Sequence, residues 1–142
     1  SNMNLKYVVS YSGLLPFFYL VVDGYFLEFL DISFILDIAI YMACIIFTFI
    51  GAYNWDFKNN NFYLELYGFL PSLISMIIII FNMLGYSKVF LINSVVVAFL
   101  AQLIVDLFIT MKQMFPTTYY LKLRIPITAS LSLSLILISY LV

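Results

Sequence analysis

The sequence predicts an all-α integral membrane protein, a bundle of five transmembrane helices with the N-terminus inside and the C-terminus outside. Composition, segment length and the placement of basic residues support this fold class. Of the 142 residues, 65% are hydrophobic and 9% are charged, whereas soluble domains are about half apolar and about a quarter charged. Because no long polar segment is present, we expect residues 3–142 to form a single five-helix transmembrane domain.

Residues 1 and 2 lie outside this domain in our interpretation. Ser1 and Asn2 precede Met3 in the pattern that a cleaved affinity tag leaves behind. The first apolar segment ends without a small-residue cleavage site, so we expect a retained helix instead of a secretory signal.

The residue types of the chain bear on its chemistry. It has one cysteine, Cys44, and no histidine. It therefore lacks the commonest metal ligand and the commonest general base, and we expect neither a metal nor a cofactor. The six basic residues are spread along the chain without forming a basic patch, so nucleic acid is not an expected partner.

Five apolar segments approach or reach the roughly 20 residues that cross a hydrocarbon core about 30 Å thick. The predicted spans are 7–22, 32–53, 62–84, 88–109 and 124–142. The first is short as written, and we expect it to extend through Tyr25 and Phe26. The connections, 23–31, 54–61, 85–88 and 110–122, contain turn formers, charge or both.

Basic residues in the short connections predict the orientation, because cytoplasmic loops carry an excess of lysine and arginine. The side that holds the N-terminus carries Lys6, Lys58, Lys112, Lys122 and Arg124. Only Lys88 falls on the other side, where Asp23, Glu28 and Asp31 are expected to gather. The N-terminus is therefore predicted to lie inside.

Glycine and proline recur in the first and third predicted helices. YSGLLP (11–16) and LYGFLP (66–71) share the pattern Gly-x-Leu-Pro, which predicts helix kinks at Gly13, Pro16, Gly68 and Pro71. Each pair is either a kink and close-packing site, tolerated because neighbouring helices satisfy the freed carbonyl, or part of a parallel repeat of helix pairs. In the second interpretation the two kinked helices face one another across a cavity.

A polar pair interrupts the fourth apolar segment at FLAQLIVDLF (99–108). Gln102 and Asp106 are four residues apart and therefore share one helix face. Asp106 is about one turn, roughly 5 Å, from the inner interface, where Arg124 is expected to pair with it. The further candidates on that side are Asn54, Trp55, Asp56 and Tyr120.

Two interpretations of this polar cluster remain open. It is either a clasp that fixes helix register through hydrogen bonds between helices, or a binding site or proton path, as intramembrane ionisable groups often are. Only the second predicts a pocket beside the cluster with room for a ligand. Near the outer face, Asp37 is either an interfacial residue or, with Asp23, Glu28 and Asp31, part of a weak cation site.

The ordered motifs resemble a known family over nearly the whole chain. They are GLLPF (13–17), FIGAYNW (49–55), GFLPS (68–72), Gln102 with Asp106, and Pro116 followed by YYLKLR (119–124) and Thr128. These are similar to the motifs of the domain-of-unknown-function 3429 family, bacterial proteins similar to mitochondrial transmembrane protein 69.

The resemblance implies a small, multi-pass protein of the bacterial inner (cytoplasmic) membrane with five helices, and it supplies no established activity. The family usually has His-Trp where this chain has Asn54-Trp55. If that histidine has an essential acid–base or metal role in the family, this protein could not perform it.

Three classes of function follow, in order of preference. The first is a non-enzymatic assembly or stability factor for a larger inner-membrane complex, with the lipid bilayer and other inner-membrane proteins as partners. The second is a binder or carrier of a small or lipidic molecule in an intramembrane pocket. The third is an intramembrane enzyme using Asp56, Asp106 and Arg124, disfavoured because no catalytic spacing is recognisable.

Overall fold

The computed structural model describes residues 2–113 and 117–142, which form helices joined by short connections, with no strand in those ranges. Five helices in these residues are long and apolar enough to cross a membrane, as the composition predicts. The spans are Leu5–Leu27, Ile32–Ala52, Phe62–Met83, Lys88–Ile109 and Tyr120–Ser139.

The first span is built from three helical pieces: α1 (Asn2–Ser12), α2 (Leu15–Val22) and a π-helical turn, π1 (Asp23–Leu27). The α-helix is interrupted at residues 13 and 14, and Pro16 lies in the first turn of α2, where its missing N–H costs no helical hydrogen bond. The π-helical turn provides the expected extension through Tyr25 and Phe26.

The second and third spans are continuous helices, α3 (Ile32–Ala52) and α4 (Phe62–Met83). Asn61 caps α4, since its side-chain oxygen accepts hydrogen bonds from the backbone N–H groups of Tyr63 and Leu64 at 3.1 and 3.2 Å. Pro71 lies inside α4 without dividing it.

The end of the chain contains α5 (Lys88–Gln113), α6 (Thr117–Tyr119), a second π-helical turn, π2 (Tyr120–Arg124), and α7 (Ile125–Ser139). The predicted fourth span, 88–109, agrees with the apolar span Lys88–Ile109, whereas the last span begins at Tyr120 instead of Arg124. Helix α5 continues to Gln113 and helix resumes at Thr117, because helical hydrogen bonding extends past the point where apolar residues end.

Helix α3 occupies the centre of the bundle. It packs most extensively against α4, then against α5, while α7 packs mainly against α5 and α2. The fully buried side chains at these contacts include Phe17, Ile35, Ile40, Phe99 and Leu135. The predicted repeat units, spans one with two and three with four, are not the tightly packed pairs.

Two glycines meet where α3 crosses α4. A Cβ atom on Gly68 would lie 2.6 Å from Cδ1 of Trp55 and 3.0 Å from the carbonyl oxygen of Gly51, and a Cβ on Gly51 would lie 2.6 Å from Cγ of Pro71. The Gly68–Pro71 motif is thus a close-packing site. It does not face its counterpart in the first span, since α2 packs mainly on α7.

Side-chain contacts define the two ends of the bundle. At the end we call the basic end, Tyr11 donates a hydrogen bond to the carbonyl of Lys122, and the α3–α4 loop, 53–61, lies near the end of α5. At the acidic end, Tyr25 donates to the carbonyl of Leu137 at 2.6 Å. Loop 23–31 and the end of α7 therefore lie together.

Candidate functional site at the basic end

A buried ion pair joins α5 to the start of the last span. Nη1 of Arg124 lies 2.8 Å from Oδ2 of Asp106, and their side chains are 7% and 6% exposed, respectively. The predicted pairing of these two residues is confirmed. Because each charge is removed from solvent, the contact fixes the position of π2 against α5.

Two further side chains bond to the other carboxylate oxygen, Oδ1, of Asp106. The hydroxyl of Tyr67 donates to it at 3.0 Å, and the side-chain amide of Asn54 donates at 3.5 Å. Asn54 also donates to the carbonyl of Gly51 at 3.3 Å. Asp106 therefore connects the α3–α4 loop, α4, α5 and π2 through one carboxylate.

Gln102 bonds to a different helix from Asp106. Its amide nitrogen donates to the carbonyl of Phe47 at 3.2 Å, a position on α3 one helical turn before Gly51. Oε1 of Gln102 and Nε of Arg124 are buried without a hydrogen-bond partner among the residues that the structure describes. The polar face of α5 is thus turned toward neighbouring helices.

The π-helical turn places the remaining aromatic residues of the site. The backbone N–H of Ile125 bonds to the carbonyl of Tyr120, five residues back, which is the π pattern. The Tyr120 hydroxyl donates to the backbone carbonyl of Asp106 at 3.2 Å. Burial raises the pKa of Tyr119, while the charge and hydrogen bond of Arg124 act in the opposite direction.

Trp55 and Asp56 lie outside this cluster. Nε1 of Trp55 donates to the carbonyl of Glu65 at 2.8 Å, tying the loop to the first turns of α4. The carboxylate of Asp56 accepts from the backbone N–H of Lys58 at 2.9 Å and from the amide of Asn59 at 3.1 Å. These hydrogen bonds hold the pKa of Asp56 below its ordinary value, and the bond from the backbone N–H of Lys58 has the largest effect.

Sequence reasoning missed Tyr67 as a member of the site, because an aromatic residue near a span end suggests an interfacial position. Asp56, Asp106 and Arg124 do not share one site, so an enzyme that combines them has no geometric support. A cavity of about 540 Å³ lies at the loop, with Asn54 among its lining residues but neither Asp106 nor Arg124.

At the acidic end, Asp37 has a partner that the sequence did not predict. Nζ of Lys88 lies 2.5 Å from Oδ1 of Asp37, and the amide of Asn82 donates to the same oxygen at 3.0 Å. Of the two interpretations of Asp37, the cation site has no support, because its carboxylate is paired with Lys88. The three residues instead join α3, α4 and the start of α5.

Asp23 lies at the acidic end, as the sequence predicts, but its side chain is fully buried. Its side chain accepts from the backbone N–H of Leu30 at 2.9 Å and from the Tyr19 hydroxyl at 3.0 Å. It therefore closes loop 23–31. Within the part of the chain that the structure describes, no group of three or more cysteine and acidic side chains could hold a metal ion.

Fold and site together describe a helical protein with five helices long and apolar enough to cross a membrane, whose ion pairs lie toward the two ends of the bundle. No family model, curated protein or solved structure matches the chain. The family resemblance of its motifs therefore stays an expectation.

Proposed function

We propose that this is a protein of the bacterial inner membrane, with its N-terminus inside, that assists the assembly or stability of a larger membrane complex without chemistry of its own. One observation carries the proposal. Four polar side chains within the spans, Asp106, Arg124, Gln102 and Asp37, bond to neighbouring helices of the same chain. These contacts hold the helices of the bundle in place against one another.

The outer surface supports an action through protein contacts. In the most apolar stretch of the third span only 22% of residues are buried inside the protein, against 50% in the second span. Helix α4 therefore presents a broad apolar face, including Leu73 and Ile77. Such a face suits packing against the helices of a partner within the bilayer, where close van der Waals contact drives association.

The motif resemblance supports the membrane assignment, since it points to inner-membrane proteins shared by bacteria and mitochondria. The excess of lysine and arginine at the basic end supports an N-terminus inside.

The test is to delete the gene and separate the solubilised inner-membrane complexes by size. We expect one complex to decrease in amount or to shift to a smaller assembly, and the parent chain to restore it. Leu73→Trp on α4 should fail to restore it, whereas Leu133→Trp, on the exposed face of α7, should restore it. An unchanged set of complexes in the deletion strain would contradict the proposal.

A further inference from the structure

The cavity at the basic end has the size of a ligand site. It measures about 540 Å³, within the roughly 300–1,000 Å³ of small-molecule pockets. Its walls come from loop 53–61, the first turns of α4 and Ile109 of α5. The cavity therefore lies at the edge of the spans, where a lipid headgroup or a soluble molecule can reach it.

One wall of the cavity is aromatic. It contains Tyr53, Trp55 and Phe57. Trp55 is held in place by its hydrogen bond to the Glu65 carbonyl, and the Phe57 ring meets it edge to face, with centroids 6.1 Å apart and planes at 78°. Aromatic faces attract ammonium groups through the negative charge of their π-systems.

Two charged side chains of the cavity are free to bind a ligand. The Glu65 carboxylate and the Lys58 ammonium make no hydrogen bond or ion pair with any residue that the structure describes, although both line the cavity. The carboxylate of Asp56 accepts hydrogen bonds from Lys58 N–H and from Asn59, and it also attracts the Lys58 ammonium electrostatically. The cavity thus offers an unpaired carboxylate, Glu65, and a lysine ammonium beside aromatic rings.

We propose that this cavity binds a phosphoethanolamine group, a primary ammonium two carbons from a phosphate. The ammonium lies between the Glu65 carboxylate and the rings of Trp55 and Phe57, and the phosphate pairs with Lys58. A primary ammonium is favoured over a quaternary one because it donates hydrogen bonds to the carboxylate. This proposal is independent of the assembly function and fails or succeeds separately from it.

Native mass spectrometry of the protein released from lipid nanodiscs tests the headgroup. The nanodiscs contain equal amounts of phosphatidylethanolamine, phosphatidylcholine and phosphatidylglycerol with identical acyl chains. We expect phosphatidylethanolamine to be retained in preference to the other two lipids. Free phosphoethanolamine added to nanodiscs of phosphatidylcholine alone tests the soluble source of the same group.

Matched variants assign the retained mass to the cavity. Glu65→Gln should reduce retention about tenfold, which corresponds to about 1.4 kcal/mol, whereas Glu28→Gln, the same change at the acidic end, should leave it unchanged. Phe57 is 90% exposed, so Phe57→Leu removes a ring without disturbing the core. It should weaken retention, while Phe62→Leu, outside the cavity lining, should not.

Each outcome decides the proposal. If phosphatidylethanolamine is retained and Glu65→Gln reduces that retention, the proposal is supported and the source of the group is a lipid. If free phosphoethanolamine binds and Glu65→Gln reduces that binding, the proposal is supported and the source is a soluble molecule. Equal retention of the three lipids with no binding of the free compound overturns it. Retention that is the same in Glu65→Gln and parent also overturns it, once equal melting temperatures show that the variant is folded.

Discussion

Asp106 and Arg124 meet inside the bundle, where each side chain is more than nine-tenths buried. Removing one member of such a pair leaves the other charge buried and unpaired. Arg124→Gln should therefore lower the free energy of unfolding by about 3–5 kcal/mol, measured by thermal melting in detergent.

Lys122→Gln is the control, since Lys122 is exposed and the chemical change is the same. The double variant Asp106→Asn with Arg124→Gln should lose less stability than the two single losses added together, because the second substitution removes the orphaned charge. Equal melting temperatures for Arg124→Gln and Lys122→Gln would show that the ion pair contributes nothing to stability.

A second prediction concerns the packing around Gly68. In Gly68→Ala the new methyl group would meet the Trp55 ring and the backbone of Gly51. Overpacking of this kind costs about 1–3 kcal/mol, which outweighs the gain of under about 1 kcal/mol in helix propensity.

The comparison is Gly13→Ala, whose methyl group would meet, among the residues that the structure describes, the Ser10 carbonyl alone at 3.3 Å. We expect a clear drop in melting temperature for Gly68→Ala and a small change for Gly13→Ala. The opposite order would mean that the α3–α4 crossing relaxes readily.

Some contacts of individual residues can be predicted from the sequence and others cannot. The Asp106–Arg124 pair could be predicted, because a carboxylate one turn inside a span requires a cation at the same depth. Tyr67 could not, since its hydroxyl reaches Asp106 only through the tertiary packing of α4 near α5. The same holds for Lys88 and Asp37, which meet from different helices.

Among the elements, the α3–α4 loop is held in order by the titratable side chain of Asp56. Its bonds lower the pKa of Asp56 below the ordinary 3.8. Because the pKa is lowered in the folded state, the carboxylate stabilises the loop fully at pH values above its ordinary pKa. This stabilisation is lost as the pH falls from the ordinary pKa through the lowered one.

Trp55 is the sole tryptophan and adjoins Asp56, so its fluorescence reports this loop. We expect the emission of the parent protein to change as the pH falls below about 4, and Asp56→Asn to lack that change. A pH response that is identical in Asp56→Asn would assign the transition to another group.

Element boundaries were less predictable than element existence. The five spans follow from apolar length alone, but α5 continues four residues beyond Ile109 to Gln113, where polar residues keep the helical hydrogen bonds. The sequence predicts segment 23–31 as an acidic connection on the outer side. Its closure around the buried Asp23 depends on Tyr19 and Leu30, which no local pattern identifies.

For the whole molecule, the uneven distribution of charge predicts the direction of insertion. The one native cysteine, Cys44, is buried, so a single cysteine introduced in a loop can be labelled selectively. A membrane-impermeant maleimide should label Glu28→Cys in intact spheroplasts and Asn59→Cys only after the membrane is opened.

The parent chain, labelled in neither condition, is the control. Labelling of Asn59→Cys in intact spheroplasts would reverse the predicted orientation and place the Asp106 site at the outer face.

The π-helical turn at residues 120–124 makes the spacing of the last span matter as much as its composition. Each residue of an α-helix turns the chain by about 100°, and a π-type bond encloses one residue more than an α-type bond. Deleting Leu121 would leave the hydropathy of the span almost unchanged, yet it would bring Tyr120 and Arg124, which both bond to Asp106, from four residues apart to three. Such a chain would carry the same two charges with one residue fewer to position them.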